Sequence, residues 1–178
     1  MKTKSIVIVL ICFVFSSYNY EKKLGKSISN VIFDTASYIQ SQYDFRASGF
    51  DSRAIDGVTH LSLDFSVSRD LTTEEARRLL VECVDAFLNN INSDKELRSL
   101  LVEYPFSPSR ISLSLLTKGR KKDHEVVPGD LLRCSLYRGT VVYSTLRERT
   151  SFITIDNEMD YEETYEEAKR IVENEKKS

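Results

Sequence analysis

The sequence predicts an α+β domain that folds as a two-layer sandwich, with an antiparallel sheet of four to five strands in one layer and helices in the other. Two patterns predict this fold class. Some segments repeat apolar residues every three or four positions, as amphipathic helices do, and shorter segments alternate apolar with polar residues, as half-buried strands do. Because the alternating segments are apolar on one side only, we expect helices on one face of the sheet. An N-terminal amphipathic helix precedes this domain.

Composition supports one folded domain and argues against nucleic-acid binding. The chain has 178 residues, of which 41% are hydrophobic, and this is enough for a single core. It carries 25 basic and 27 acidic side chains. A nucleic-acid binder relies on a basic face that meets phosphates, and this charge balance does not favour one.

The chain begins with a short apolar run that follows two lysines. The run extends from Ile6 to Phe15 and contains no polar side chain. As a helix it would extend about 15 Å, roughly half the hydrocarbon thickness of a bilayer. We therefore expect residues 1–16 to be a signal peptide that is cleaved after Ser16. The alternative is an uncleaved anchor, in which case membrane contact would be confined to residues 1–43.

The segment after this leader predicts a helix and then a loop. Apolar residues recur at helical spacing from residue 21 to residue 43 and give one apolar stripe. Gly49 and Gly57, with polar residues between them, then predict a loop. The expected organisation is a signal peptide at 1–16, a helix and loop at 17–57, and the α+β domain at 58–178.

Within the α+β domain, capping signals and alternation predict the elements. Thr72 and Glu75 form a capping box, so a helix should begin there and run to about residue 91. Ser93 and Glu96 repeat that signature and predict a short helix that ends near Glu103. The alternating segments predict strands at 59–68, 111–115, 132–136 and 141–143, with a further strand at 151–156.

The C-terminal segment predicts a closing helix from about Asp160. Its buried side should consist of apolar and aromatic residues at helical spacing, namely Tyr161, Tyr165, Ala168 and Val172. Its acidic residues should face water, namely Glu162, Glu163, Glu166 and Glu167.

The strand at 59–68 supplies the candidate binding face. Its polar residues alternate with apolar ones and therefore point to one side: His60, Ser62, Asp64 and Ser66. Residues two apart on a strand stand about 6.5–7 Å apart and project in parallel, so they do not converge as a Ser-His-Asp proton relay must. We interpret these residues as a solvated sheet face that is also the candidate for ligand contact, and we predict no catalytic residue.

Two cysteines remain after cleavage of the leader. Cys83 and Cys134 each fall on the apolar side of their helix or strand. They fit either one disulfide in an oxidising compartment or two buried thiols. A thiol in apolar surroundings has a raised pKa and reacts slowly, which argues against a catalytic cysteine.

The polar segment 118–130 carries a cluster of basic side chains. Lys118, Arg120, Lys121 and Lys122 are candidate contacts for an anionic lipid head group or another polyanion, and the alternative is a solvated hairpin loop. The sequence predicts no metal site and no cofactor. His60 and His124 are its only histidines, and no metal-ligand or phosphate-loop spacing occurs.

Two segments resemble small exported proteins of uncharacterised function from intracellular Gram-negative bacteria. These segments are ARRLLVECVDAFLNNINSDKELRSLLVEYPFSPSRI, from Ala76 to Ile111, and YEETYEEAKRIV, from Tyr161 to Val172. The resemblance lies in the spacing around Asn92, Pro105 and Phe106. It implies export from the bacterial cytoplasm and implies no activity or site residues.

Three hypotheses about function follow. The first is an exported, non-enzymatic protein of the bacterial envelope, periplasmic or secreted, that binds an unknown protein or small ligand through the polar strand face or the N-terminal helix. The second is a hydrolase or transferase of unfamiliar type. The third is a membrane-tethered effector held at the inner membrane by a retained leader. We favour the first, because the ionisable groups form no reactive cluster in the sequence.

Overall fold

The computed structural model describes residues 3–117, 131–148 and 155–177, and it confirms the α+β fold class. The elements of the described residues are, in chain order, α1 (Thr3–Gln42), β1 (Phe45–Ala54), β2 (Val58–Val67), α2 (Thr73–Ser93), α3 (Lys95–Arg98), a 3₁₀ turn (Pro108–Arg110), β3 (Ile111–Thr117), β4 (Leu131–Tyr137), β5 (Thr140–Glu148), β6 (Ile155–Thr164) and α4 (Tyr165–Glu175).

The strands form one mixed sheet in the order β1-β2-β3-β4-β5-β6. Neighbouring strands are antiparallel except β2 and β3, which run parallel. The expectation of an antiparallel sheet of four to five strands is therefore wrong in its strand count and in one pairing. The parallel pair arises because α2 carries the chain from the end of β2 back to the start of β3, and strands joined by such a crossover are parallel.

The strand missing from the prediction is β1, which lies where the sequence predicted a loop. It pairs antiparallel with β2 at the edge of the sheet, with a register shift between Ala47 and Gly49. Most side chains of β1 are exposed, so this strand lacks the alternation of apolar and polar residues that is typical of a half-buried strand. The turn after β1 does require Gly57, whose φ is 130° and where an added Cβ would lie 2.9 Å from the carbonyl oxygen of Leu100.

The helices pack against one face of the sheet and form the core with it. Thr72 caps α2 as predicted, because its side chain accepts a hydrogen bond from the Glu75 backbone N–H. The predicted capping box is only half formed, since the Glu75 carboxylate accepts from Arg69. Polar contacts also join α1 to α2, since the Asn90 side-chain amide donates to the Thr35 hydroxyl. The buried side chains of both layers form one cluster, which includes Ile32, Ile39, Phe65, Leu80, Phe87, Leu113, Leu136 and Val172.

The N-terminal helix is longer than predicted. α1 is one uninterrupted helix from Thr3 to Gln42, so the predicted leader and the predicted helix at 21–43 are continuous. Its buried residues between Ile28 and Ile39 join the core cluster. Over the residues described, no helix has an apolar stretch long enough to cross a membrane.

Two helix boundaries differ from the prediction. The short helix is only Lys95–Arg98, and its N-cap is Asp94 rather than Ser93, because the Asp94 carboxylate accepts the Leu97 N–H. The closing helix begins at Tyr165 rather than near Asp160, because Thr164 and Glu167 form a capping box there.

The later start of α4 places Glu163 in β6. Glu163 is only 5% exposed, so the prediction that it faces water is wrong. Tyr165, Ala168 and Val172 are buried as predicted. Tyr161 lies in β6 and is 48% exposed, so the prediction that it is buried is wrong.

Candidate binding face and basic cleft

The polar residues of β2 share one side of the sheet, and neighbouring strands extend this side. We call it the polar face, and its polar members on β2 to β5 are His60, Ser62, Asp64, Ser66, Ser112, Ser114, Arg133, Ser135, Tyr137, Thr140 and Ser144. The β2 members are half-buried, while the residues that alternate with them are buried in the core. The polar face therefore lies opposite the side on which the core forms.

Small side chains make the centre of the polar face shallow. Asp64 pairs with Ser114 of β3, and Ser114 pairs in turn with Ser135 of β4. On the other flank Gly49 of β1 lies beside Asp64, where an added Cβ would be 3.4 Å from the carboxylate. Serine hydroxyls both donate and accept hydrogen bonds. Serine hydroxyls therefore surround the Asp64 carboxylate, Ser114 among them is only 8% exposed, and Arg133 of β4 adds a cation to the same face.

His60 and Ser112 meet at one end of the polar face. The Nε2 atom of His60 lies 3.0 Å from the Ser112 hydroxyl oxygen. The parallel pairing of β2 with β3 produces this contact, because Ser112 pairs with Ser62, the polar-face residue next to His60. This contact could not be predicted from the sequence, because the two residues are 52 positions apart.

A basic cleft opens beside His60 at this end of the sheet. Its volume is about 190 Å³, and it is lined by Arg53, Thr59, His60, Ser109, Arg110, Tyr137 and Arg138. We call it the basic cleft. Four chain segments contribute to it: the end of β1, the start of β2, the 3₁₀ turn and the β4–β5 hairpin.

Strand register brings the cationic residues of the cleft together. Arg53 lies directly opposite His60 in the β1–β2 ladder. Arg110 precedes Ile111, which pairs with Leu61, so Arg110 lies next to His60 on the other flank. These basic residues therefore lie side by side across the strands rather than along one strand.

Arg138 reaches the cleft from a tight hairpin turn. Arg138 and Gly139 both have positive φ values, 51° and 81°, as a two-residue type I′ turn requires. The guanidinium carbon of Arg138 lies 5.2 Å from the centre of the Tyr137 ring, which fits a cation–π contact. The turn and the aromatic ring together fix the direction of this arginine.

The positive charge of the cleft is only partly neutralised. Arg110 pairs with Glu103 at 3.3 Å, and both side chains are substantially exposed. Neither Arg53 nor Arg138 has a salt-bridge partner among residues 3–117, 131–148 and 155–177. Among the residues that the structure describes, no acidic side chain lines the cleft itself.

The cleft lowers the pKa of His60. Partial burial is the largest cause, and the positive charge of Arg53 is the next, because both disfavour the protonated imidazole. Arg138 and Arg110 act in the same direction, whereas Asp51 opposes them. His60 is therefore neutral at pH 7, and its pKa reports the potential inside the cleft.

A second cluster of ionisable groups is buried on the core side of the sheet. Arg77 of α2 donates from Nε to Glu163 at 2.7 Å, and the Tyr143 hydroxyl donates to the same carboxylate oxygen at 2.5 Å. Only 11% of the Arg77 side chain and 2% of the Glu163 side chain are exposed. This cluster joins α2 to β5 and β6 in the interior, where a ligand has no access.

The cysteines lie in the core, as their positions in the sequence predicted. Cys83 and Cys134 are both buried and are not joined to each other. A disulfide between them in an oxidising compartment therefore remains one of the two alternatives that the sequence left open. Burial raises the pKa of Cys83 to about 12 and raises that of Cys134 further above its ordinary value. Both thiols are therefore protonated at pH 7 and are poor nucleophiles.

The remaining predicted site residues fall elsewhere. Lys118, Arg120, Lys121 and Lys122 lie outside the described residues, so their candidate anion contact stays a prediction. Among the residues that are described, no group of three or more His, Cys, Asp or Glu side chains could hold a metal ion.

Comparison with known protein families, curated proteins and solved structures finds no match to this chain. The fold and the side chains of the polar face and basic cleft are therefore the basis for a functional proposal.

Proposed function

We propose that this protein is an exported, non-enzymatic binding protein of the bacterial envelope whose ligand contacts the polar face and the basic cleft at its end. The observation that carries this proposal is the joining of the two surfaces at His60, which belongs to both. A ligand that lies on the polar face can thereby place a negatively charged group in the cleft.

The ionisable groups support binding more than catalysis. The two thiols are buried and protonated, and the buried Arg77–Glu163 pair has no access to a ligand. Asp64 stands on the same strand as His60, and parallel side chains at this spacing do not converge for proton transfer. On the polar face and in the cleft, the hydroxyls, the arginines and the neutral imidazole are suited to hydrogen bonding and to anion contact, and the Asp64 carboxylate can accept hydrogen bonds.

One observation favours a second candidate, a hydrolase or transferase. His60 and Ser112 stand at the distance expected between a general base and the hydroxyl that it activates. Arginines beside that pair could stabilise negative charge that develops on a substrate. Within the described residues, no carboxylate is hydrogen-bonded to His60 to orient its ring, and for this reason we rank binding first.

The proposal is tested by mapping a ligand library onto the protein with amide chemical shifts. Ligands that bind should shift amides of β2, β3 and β4 and leave those of α2 and α4 unchanged. The same library, extended with phosphate and carboxylic esters, is then screened for turnover with His60→Ala and Ser112→Ala as variants. Turnover that either variant abolishes would replace binding with the second candidate, and shifts confined to the helices would contradict both.

Export is tested separately on protein isolated from its native host. We expect the intact mass of a chain that begins at Ser17, because the leader is too short to remain in a bilayer. Material that still begins at Met1 in the membrane fraction would support the tethered effector instead. Material that begins at Met1 in the cytosol would contradict export altogether.

A further inference from the structure

We propose that the basic cleft is a binding site for a phosphate group, either as free phosphate or as the phosphomonoester end of a larger ligand. This inference rests on the proposed function and deepens it, because it names the chemical class that the cleft receives. The juxtaposition that carries it is the convergence of Arg53, Arg110 and Arg138 around His60 in one small cavity.

Three guanidinium groups favour an oxyanion over a neutral ligand. Each guanidinium presents a planar set of N–H donors whose geometry matches phosphate or carboxylate oxygens, and each keeps its charge at every physiological pH. Arg53 and Arg138 have no salt bridge within the described residues, so their donors are available to a ligand. Arg110 has an exposed partner in Glu103, and a bound anion can compete with that partner.

The number of positive charges favours a dianion. A single carboxylate would leave most of the positive charge in the cleft uncompensated, whereas a phosphomonoester carries close to two negative charges at pH 7. The uncharged donors of the cleft complete such a site. Thr59, Ser109 and Tyr137 each contribute a hydroxyl to the lining, and the remaining oxygens of a phosphate group can accept from them.

The size of the cleft fits a small charged group. Its volume of about 190 Å³ is below the roughly 300–1,000 Å³ of sites that enclose a drug-sized molecule. The cleft therefore accommodates the phosphate end of a ligand, and the adjoining polar face accommodates the rest.

The charges around the cleft disfavour a long polyanion. Asp51 lies near His60 on β1, and Glu103 pairs with Arg110 at the edge of the cleft. These carboxylates confine the positive potential to the cavity. The whole chain has a formal net charge of −2 at pH 7, which adds repulsion at long range.

The backbone of Arg138 gives independent support. A left-handed conformation costs a residue with a Cβ about 1–2 kcal/mol, and type I′ turns favour Asn, Asp or Gly at this position. Arginine has no such advantage in the turn. A role of the Arg138 guanidinium in binding a ligand in the cleft would explain why arginine occupies this turn position.

The test titrates the full chain with sodium phosphate and with phenyl phosphate at constant ionic strength, with sodium chloride as the blank. We expect saturable amide shifts centred on Thr59, His60 and Tyr137. The double variant Arg53→Gln/Arg138→Gln should weaken phosphate binding at least tenfold. The matched control Arg78→Gln/Arg170→Gln changes exposed arginines of α2 and α4 by the same charge and should bind as the wild type does.

A second arm distinguishes the sources of the phosphate. Vesicles that contain phosphatidic acid are compared with neutral vesicles in a sedimentation assay, using the same two double variants. Cleft-dependent binding to soluble phosphate assigns a soluble ligand, and cleft-dependent binding to the vesicles alone assigns a lipid head group. Both outcomes support a phosphate site in this cleft.

Two results would overturn the inference. One is the absence of saturable binding in both arms, and the other is equal weakening in the two double variants. Neither result removes the proposed function if ligands from the library still shift β2 to β4. Conversely, shifts confined to α2 and α4 in the library screen would remove the proposed function even if phosphate bound to the cleft.

Discussion

Arg77 and Glu163 form an ion pair of 2.7 Å between α2 and β6, in which both side chains are largely buried. Removal of the carboxylate in Glu163→Ala leaves the Arg77 charge and the Tyr143 hydroxyl without this acceptor. We expect a loss of about 3–5 kcal/mol in the free energy of unfolding, as is typical when one partner of a buried pair is removed. Urea denaturation measures it. Glu166→Ala, an exposed position in the first turn of α4, should cost less than about 0.5 kcal/mol, and equal losses in the two variants would contradict the buried pairing.

Asn92 holds the segment between α3 and β3 against α2. Its side-chain amide donates to the Phe106 carbonyl at 3.1 Å and its side-chain oxygen accepts the Phe106 N–H at 2.7 Å. Asn92→Ala should therefore lower the free energy of unfolding by about 2 kcal/mol, since two buried backbone groups lose their partners. Asn89→Ala, an exposed change on the same helix, is the control in urea denaturation. If both variants unfold at the wild-type urea concentration, the contact contributes nothing.

The buried thiols should be unreactive in the folded protein. Because burial raises the pKa of Cys83 to about 12, and raises that of Cys134 as well, the thiolate fraction at pH 7 is negligible. In protein that begins at Ser17 and therefore lacks Cys12, a chromogenic disulfide reagent should detect no thiol at pH 7 until denaturant is added, and then two. Rapid reaction of one thiol in the native state would contradict the burial of that residue. Protein from the native host that shows no thiol even when unfolded would support the alternative of a disulfide between Cys83 and Cys134.

Arg138→Asn should separate stability from binding. Asparagine tolerates the left-handed conformation of this turn position better than arginine does, so the variant should unfold at a higher urea concentration, with a gain of about 0.5–1 kcal/mol. Its phosphate affinity should fall because a guanidinium is lost from the cleft. Arg53→Asn is the matched control, since its strand backbone has no positive φ, and it should weaken binding without any gain in stability. Destabilisation by Arg138→Asn would contradict a strained turn at this position. Unchanged phosphate affinity would contradict a role of Arg138 in the cleft.

The elements that the sequence predicted correctly are those with strong periodicity. α2 combines an N-cap at Thr72 with a continuous apolar stripe, and β2 alternates without a break, so local residues alone determine both. β1 is different, because an edge strand buries little and carries no alternation. Glu163 was misplaced for a related reason. Its acidic neighbours are as compatible with an exposed helix as with an edge strand, and only tertiary packing against Arg77 decides between them.

The polar face could be predicted from the sequence, whereas the basic cleft could not. The four polar residues of β2 could be predicted because they share one strand, whereas the cleft depends on Arg53, Arg110 and Arg138, which lie in distant segments. These arginines lie close together only because β2 pairs parallel with β3, and the sequence predicted an antiparallel sheet. A signal was nevertheless present, since a helix between two strands is the usual sign of a crossover connection. A prediction based on this crossover would have placed the start of β3 beside the start of β2.

The pKa of His60, measured with and without phenyl phosphate, shows whether an anion binds in the basic cleft. The groups around its ring are Arg53 and Asp51 from β1, Arg110 from the 3₁₀ turn, Arg138 from the hairpin and Ser112 from β3. Ring-proton chemical shifts give the pKa, and His124→Gln assigns the resonances. We expect a pKa below 6.5 in the free protein, because burial and the arginines disfavour the protonated ring, and a higher pKa with the ligand bound, because its negative charge favours that form. An unchanged pKa of His60 at saturating phenyl phosphate would contradict the binding of an anion in the basic cleft.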